Sequence, residues 1–445
     1  MIQKMFISFL LLIVVQSKAQ NSFSLSQAIE YAVKNGYSVK NAATDIEIAK
    51  KKVAEIRGIG IPQLSADGSY QNFLAVPVSV IEASAFNPAA PSGTYLRVPF
   101  GVQHNMSYGY TASWLAFSGE YIVGLQASKA YVELSRTSLR KSEIEIKESV
   151  SRAYGTVVIL YENKRILQEN IAALDNSITQ TDAFFKEGLI EELDVDRLKL
   201  LRKNLSTTLT TLEEQTKLAE KLLKFNMGFD VNGEIILTNK FQDMLDAAST
   251  GVDAQPKFDL NANIDNILLD QSLNLQKLEL KRQKANYLPT LSTFYTWKES
   301  RITNEGDQLF DPLFRVPGGT ILGVNLSVPI FKGLSQRARV QTAKLNISKI
   351  EVSAKQASQG LALQSAQSLT SYTAALSNIQ NARESVQLAE RIRDRTLIKF
   401  QEGVGSSVEL LQAENELLSA QANYVSAAQQ LIDSRVTLDK NLNKF

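Results

Sequence analysis

Few side chains in this chain could carry covalent chemistry, and their scarcity narrows the options at once. Cysteine is absent, so disulfides, thiolate metal sites and lipid-modified cysteines are excluded. The single histidine, His104, cannot by itself build a His-based metal centre or supply a Ser-His-Asp triad with a convincing constellation around it. Asp and Glu pairs are scattered, none at a spacing that implies acid–base catalysis, and no phosphate-binding loop pattern occurs. The residues point away from an enzyme and call for no cofactor. The carboxylates that stand out do so by position. Asp194 and Asp196 follow the pair Gly188-Leu189, and Glu409 follows Gly403-Val404. By themselves, Asp194 and Glu409 read as first-turn helix charges favoured by the helix dipole.

The elements that must position these acids are mapped by proline. Nine of the ten prolines fall in two windows, Pro62–Pro99 and Pro289–Pro329, and the stretches 119–255 and 330–445 contain none. Because proline breaks helix interiors, the gaps are where long helices can run. There Leu410, Leu417, Tyr424, Leu431 and Leu438 recur every seven residues, with Ala413, Ala420, Ala427 and Ser434 as a second, small-residue row. Leu198, Leu205, Leu212 and Ala219 repeat the pattern in the first half. A sustained seven-residue repeat predicts coiled-coil-like packing of helix on helix, with an ordinary bundle core as the plainer alternative. The span from about 121 to 185 is ~100 Å of helix at 1.5 Å per residue, far beyond the average of about 11–12 residues.

Inside the windows the period changes to two. Leu64, Ala66, Gly68 and Tyr70 alternate with polar residues, as do Tyr108, Tyr110, Ala112 and Trp114. Leu291, Thr293, Tyr295 and Trp297 form a third series, and Leu322, Val324, Leu326, Val328 and Ile330 a fourth. Strands of about ten residues match the length of a tilted membrane barrel strand, although a soluble sandwich would show the same alternation. Tyr70, Tyr108, Tyr110, Trp114, Tyr295 and Trp297 are candidates for an aromatic girdle at the lipid–water interface.

The ends and the bulk agree with export. Lys4, an apolar run from Met5 to Val15 and the small residues of Ser17-Lys18-Ala19 read as a signal peptide over residues 1–19. No later run offers the ~18 consecutive apolar residues of a membrane helix, so any membrane span must be a closed sheet. A formal charge of +2 gives no reason to expect nucleic acid as a partner.

The two halves also correspond to each other. Ile61-Pro62-Gln63-Leu64-Ser65 matches Leu288-Pro289-Thr290-Leu291-Ser292, and Phe117-Ser118-Gly119 matches Phe331-Lys332-Gly333 at an offset of 214. Phe185-Lys186-Glu187-Gly188-Leu189 matches Phe400-Gln401-Glu402-Gly403-Val404 at 215. The chain reads as a tandem duplication. The first repeat covers 20–228, with strands about 63–74 and 107–117 and a long helical hairpin about 119–226. A connector, 229–257, leads to the second repeat over 258–445, with strands about 290–300 and 320–331 and a hairpin about 333–441. Four strands cannot close a membrane barrel, which needs eight or more, so chains must combine.

The duplicated Phe-x-Glu-Gly-[Leu/Val] turn, the acid and heptad helix after it, and the Phe-x-Gly strand exit before it resemble the TolC-type outer-membrane efflux protein family, over roughly Ser24 to Asn441. The resemblance implies a homotrimer whose four strands per chain make a 12-stranded membrane β-barrel, continued by an α-helical barrel of coiled-coil-like helices in the periplasm. It implies a passive duct in the bacterial outer membrane, in contact with outer-membrane lipid and serving a tripartite efflux or secretion system. By position, Gly188, Leu189, Gly403 and Val404 would dock on a periplasmic adaptor (membrane fusion) protein that links the duct to an RND-type or ABC-type inner-membrane transporter. Asp194, Asp196 and Glu409 would gate the pore, with Gln412 standing where some members carry a further acid. The competing expectation is a periplasmic coiled-coil scaffold without channel activity. Drugs, metal ions and secreted proteins are all compatible cargoes.

Overall fold

A computed structural model describes residues 21–251 and 258–445; the expected signal peptide lies outside the described residues. The chain divides into two compact units. One comprises Ile48–Glu133 and Ser272–Ile350, and the other comprises the segments up to Glu47, Leu134–Gln271 and Glu351–Phe445.

The other unit holds a short parallel pair, β1 (Ser22–Phe23) with β6 (Ile236–Leu237), and the first is built on an antiparallel sheet. In chain order its strands are β2 (Gln63–Asn72), β5 (His104–Ser118), β7 (Thr290–Thr303) and β9 (Thr320–Ser327), which neighbour one another in that order. The two-residue strand β8 (Arg315–Val316) also pairs with β7. Among the described residues, the outer edges of β2 and β9 have no partner. The register places Leu64 opposite Ala112, Tyr110 opposite Trp297 and Tyr295 opposite Leu322. Since directly opposed residues share a face, one side of the sheet carries the apolar and aromatic series. The other is mainly polar, with Ser65, Asp67, Ser69, Ser107, Thr111, Thr296, Asn325 and Ser327 beside Leu115, Phe294 and Ile321.

The observed strand limits differ from those expected in instructive places. β9 stops at Ser327 rather than 331, two residues short of Pro329, which has no N–H to give to a ladder. β5 begins at His104, three residues before the expected limit of 107, so the histidine is a strand residue. Its Nδ1 lies 2.8 Å from the Tyr70 hydroxyl. The long loop after β2 holds a separate hairpin of β3 (Val78–Glu82) and β4 (Tyr95–Pro99), two strands beyond the four expected.

Four helices have the expected order. α3 (Gly119–Lys186) and α7 (Ser335–Gln401) run 68 and 67 residues, and α4 (Glu192–Met227) and α8 (Ser407–Asn441) return from them. The shorter α1 (Leu25–Asn35), α2 (Tyr37–Ile59) and α6 (Ile264–Ala285) precede the two sheet segments. Among the described residues no helix is long and apolar enough to cross a membrane.

The heptad rows do their expected packing in the second unit. Leu198, Leu205 and Leu212 of α4 bury against Leu167 and Leu174 of α3, with Leu411 and Leu418 of α8 beside them. Leu410, Leu417, Leu431 and Leu438 are all buried, whereas Tyr424 is half-buried and meets Phe241 edge-on at 6.0 Å. The larger cluster gathers Val150, Tyr154 and Val157 of α3, Leu223 and Met227 of α4, and Met244 and Leu245 of α5 (Phe241–Ser249). Burying each large side chain is worth about 1.5–3 kcal/mol. Two buried hydroxyls tie this core together. The Tyr154 hydroxyl lies 2.9 Å from the Phe23 carbonyl and accepts from the Asn239 N–H at 3.2 Å. Arg435 and Tyr372 both donate to the Ala248 carbonyl, at 3.3 and 2.9 Å, and so cap the otherwise unsatisfied end of α5.

Candidate functional site

The two glycine turns close in the same way. Gly188 and Gly403 have φ of 73° and 74°, the left-handed conformation that glycine adopts without a Cβ penalty. In the first, the Gly188 N–H donates to Phe185 and the Leu189 N–H to Phe184, both at 2.9 Å. In the second, Gly403 donates to Phe400 at 3.1 Å and Val404 to Lys399 at 3.0 Å. Each is a Schellman motif, which satisfies the last helix carbonyls and reverses the chain. The residue after each glycine is left in the open, Leu189 at 69% and Val404 at 79% exposure.

The turns are also braced against each other. The Phe184 and Phe400 rings meet edge-on at 6.1 Å, and the Gln401 side chain donates to Gln180 at 2.7 Å. The Ser407 hydroxyl donates to the Asp194 carboxylate. Asp194 also accepts from the Glu191 N–H at 3.3 Å and lies 3.5 Å from Arg197. Thus the first of the three sequence-predicted acids is engaged within its own chain, at the start of α4 and against the start of α8. The other two are open. Asp196 is exposed with Lys199 3.9 Å away, and Glu409 is exposed in the first turn of α8, its N–H accepted by the Ser406 hydroxyl at 3.2 Å. Gln412 donates to Glu416 at 2.9 Å.

One acid near the turns is absent from the sequence-based expectations. Glu414 on α8 is 8% exposed and its Oε1 has no hydrogen-bond partner. Burial pushes its carboxyl above the ordinary range, Arg393 pulls it back, and Asp394 adds to the rise. Its place one residue after Ala413 in the small-residue row was the available signal, since that row packs inward.

The six aromatic residues fall together on the apolar face of the sheet. Tyr110 stacks on Trp297 at 5.2 Å and on Tyr295 at 6.5 Å, and Tyr108 tilts against Trp297 at 6.1 Å. Trp114 donates to the Gly60 carbonyl at 3.0 Å. Tyr70 stacks on His104 at 6.1 Å. The same face holds a carboxylate that alternation did not foretell. Glu299 accepts from the Tyr108 hydroxyl and pairs with Arg315 at 2.7 Å. Among the described residues no group of three or more His, Cys, Asp and Glu could hold a metal ion.

Residues 270–444 match the family model for outer membrane efflux protein. No curated protein sequence matches the chain. Among solved structures, the outer membrane protein VceC from Vibrio cholerae is similar at 16% identity and a TM-score of 0.69, over 94% of this chain and 95% of that one. The CmeC outer membrane channel of Campylobacter jejuni gives 18% and 0.70, over 94% and 85%. The MtrE outer membrane channel of Neisseria gonorrhoeae, solved in an open state, gives 15% and 0.67, over 94% and 88%. At these identities the likeness is one of fold.

Proposed function

We propose, from a chain whose residues 270–444 belong to the outer membrane efflux protein family, that it is one subunit of a passive outer-membrane duct. The observation that carries this reading is the sheet of β2, β5, β7 and β9. It has one apolar, aromatic face, one polar face and two unpaired edges. An open edge and an apolar face are both costly in water. Closure against further copies removes the edges, the apolar face meets lipid, and the polar face lines an aqueous pore. Three copies give twelve strands.

The paired turns are the natural docking elements for a periplasmic adaptor. Leu189 and Val404 offer apolar side chains on rigid reversals, a low-entropy way to present a contact. The adaptor in turn couples the duct to an inner-membrane pump of RND or ABC type, which supplies the energy that this chain has no chemistry to provide. For the gate, Asp196 and Glu409 are the acids free to face a pore, and Asp194 holds the two turns together.

The test is direct. Purified protein should run as a heat-modifiable oligomer from outer-membrane fractions and conduct ions in planar bilayers. A soluble, non-conducting product from a correctly exported chain would favour the periplasmic scaffold instead.

A further inference from the structure

A groove of about 230 Å³ lies where β9 passes into α7. Its walls combine Tyr287, Ile330, Phe331 and Leu334 with Lys332 and Arg337. The apolar members are open, Ile330 at 94% and Phe331 at 78% exposure. Ile330 continues the outward apolar series of Leu322, Val324 and Leu326 beyond the end of the strand. The groove therefore sits where that series stops and the first cations begin.

The charge here is one-sided. From residue 316 to 350 the chain has five cations, Lys332, Arg337, Arg339, Lys344 and Lys349, and no acid. Lys332, Arg337 and Arg339 take part in no ion pair among the described residues, and all three are exposed. Leu334, a non-glycine residue at φ 64°, presents a further apolar side chain to the groove and is 63% exposed. The duplication supplies an internal comparison. At the positions of Lys332, Leu334 and Arg337, the first repeat has Ser118, Glu120 and Val123, and Glu120 is paired with Arg282 at 2.7 Å. The basic, apolar combination belongs to the second repeat alone.

We infer that this groove binds an anionic phospholipid of the inner leaflet, its phosphate on Lys332 and Arg337 and its acyl chains against Ile330, Phe331 and Leu334. Charge complementarity selects this occupant: a zwitterionic lipid or an apolar protein surface leaves an acid-free cation cluster uncompensated. The inference rests on the reading of the sheet as membrane-embedded.

The oligomer is reconstituted in vesicles of phosphatidylethanolamine and phosphatidylglycerol, extracted in mild detergent and weighed by native mass spectrometry. Phosphatidylglycerol should be retained over phosphatidylethanolamine, at up to one per chain. Retention should fall by about tenfold or more in K332Q/R337Q, at roughly 1 kcal/mol per interfacial cation, and persist in K332R/R337K. Equal retention of the two lipids, or undiminished retention in the glutamine variant, overturns the assignment. So does displacement by millimolar inorganic phosphate, which would mark a free-phosphate site. In cells, benzoylphenylalanine replacing Phe331 should label lipid on irradiation; a cross-link to a second copy instead makes the groove a subunit contact. A chain that does not fractionate with the outer membrane defeats the membrane reading itself, whereas normal fractionation without lipid retention defeats only the groove.

Discussion

The Ser407 hydroxyl donates to the Asp194 carboxylate, joining the first turns of α8 and α4 across 213 residues of sequence. The repeats are offset by 214–215, so the bond links nearly equivalent places in the two hairpins. A carboxylate committed in this way is a fastening before it is a pore charge.

Hydrogen bonds to charged groups are worth about 1.5–3 kcal/mol when sheltered, and Asp194 is only partly so. Ser407→Ala and Asp194→Asn should each loosen the turns by about 1 kcal/mol. In reconstituted channels both should raise open conductance, and hydrogen exchange should quicken around 185–195 and 400–410. The double variant should add little to either single one. Strictly additive effects would mean that the two residues act separately.

Gly188 and Gly403 hold left-handed turns with open space around the missing Cβ, so only backbone preference resists substitution there. Gly403→Val should cost about 1–2 kcal/mol at the turn and abolish export, with normal oligomer in the outer membrane. Gly188→Val should do the same. Pull-down with the cognate adaptor reads the loss, and normal export at normal protein level would remove the docking assignment.

Glu414 has its pKa raised by burial, with Arg393 opposing and Asp394 reinforcing the shift. The folded chain thus holds its proton to higher pH than the unfolded chain does. By linkage, stability falls as pH rises from the ordinary Glu range through the raised value, and it is greatest below the unfolded pKa as far as this group is concerned. Glu414→Gln should stabilise the oligomer at pH 8 by up to about 1 kcal/mol and flatten this part of the profile. Thermal melts between pH 4 and 8 decide the matter; parallel profiles for the two proteins would refute it.

Val324 and Asn325 are neighbours that face opposite ways on β9. An arginine on the lipid face near mid-bilayer costs about 2–4 kcal/mol, and one in the lumen costs little. Val324→Arg should therefore lower the yield of assembled oligomer, and Asn325→Arg should assemble and shift ion selectivity toward anions. The reverse pattern in outer-membrane fractions and bilayer recordings would invert the two faces.

Local rules made much of this fold legible. Period two located all four long strands to within a few residues, period seven picked out the buried leucines of α4 and α8, and the glycines marked both reversals. These signals are carried by the chain's own neighbours, because strand faces alternate and helix faces recur whatever lies opposite. The same logic hid Glu299, since a charge on an apolar face reads as an interruption until Arg315 and Tyr108 are seen to satisfy it. The β3–β4 hairpin lay outside the four expected strands, because five-residue strands give too short an alternation to stand out.

By itself, then, the sequence determined the kinds of element, their order and which face of each is apolar. Tertiary structure alone decided partnership. Asp194 meets Ser407, Arg435 and Tyr372 meet the end of α5, and Glu414 is enclosed among packed helices. Periodicity tells a side chain which way to face. Only the packing of distant segments determines what it finds there, and so whether an acid is a fastening, a buried titratable group or an open charge.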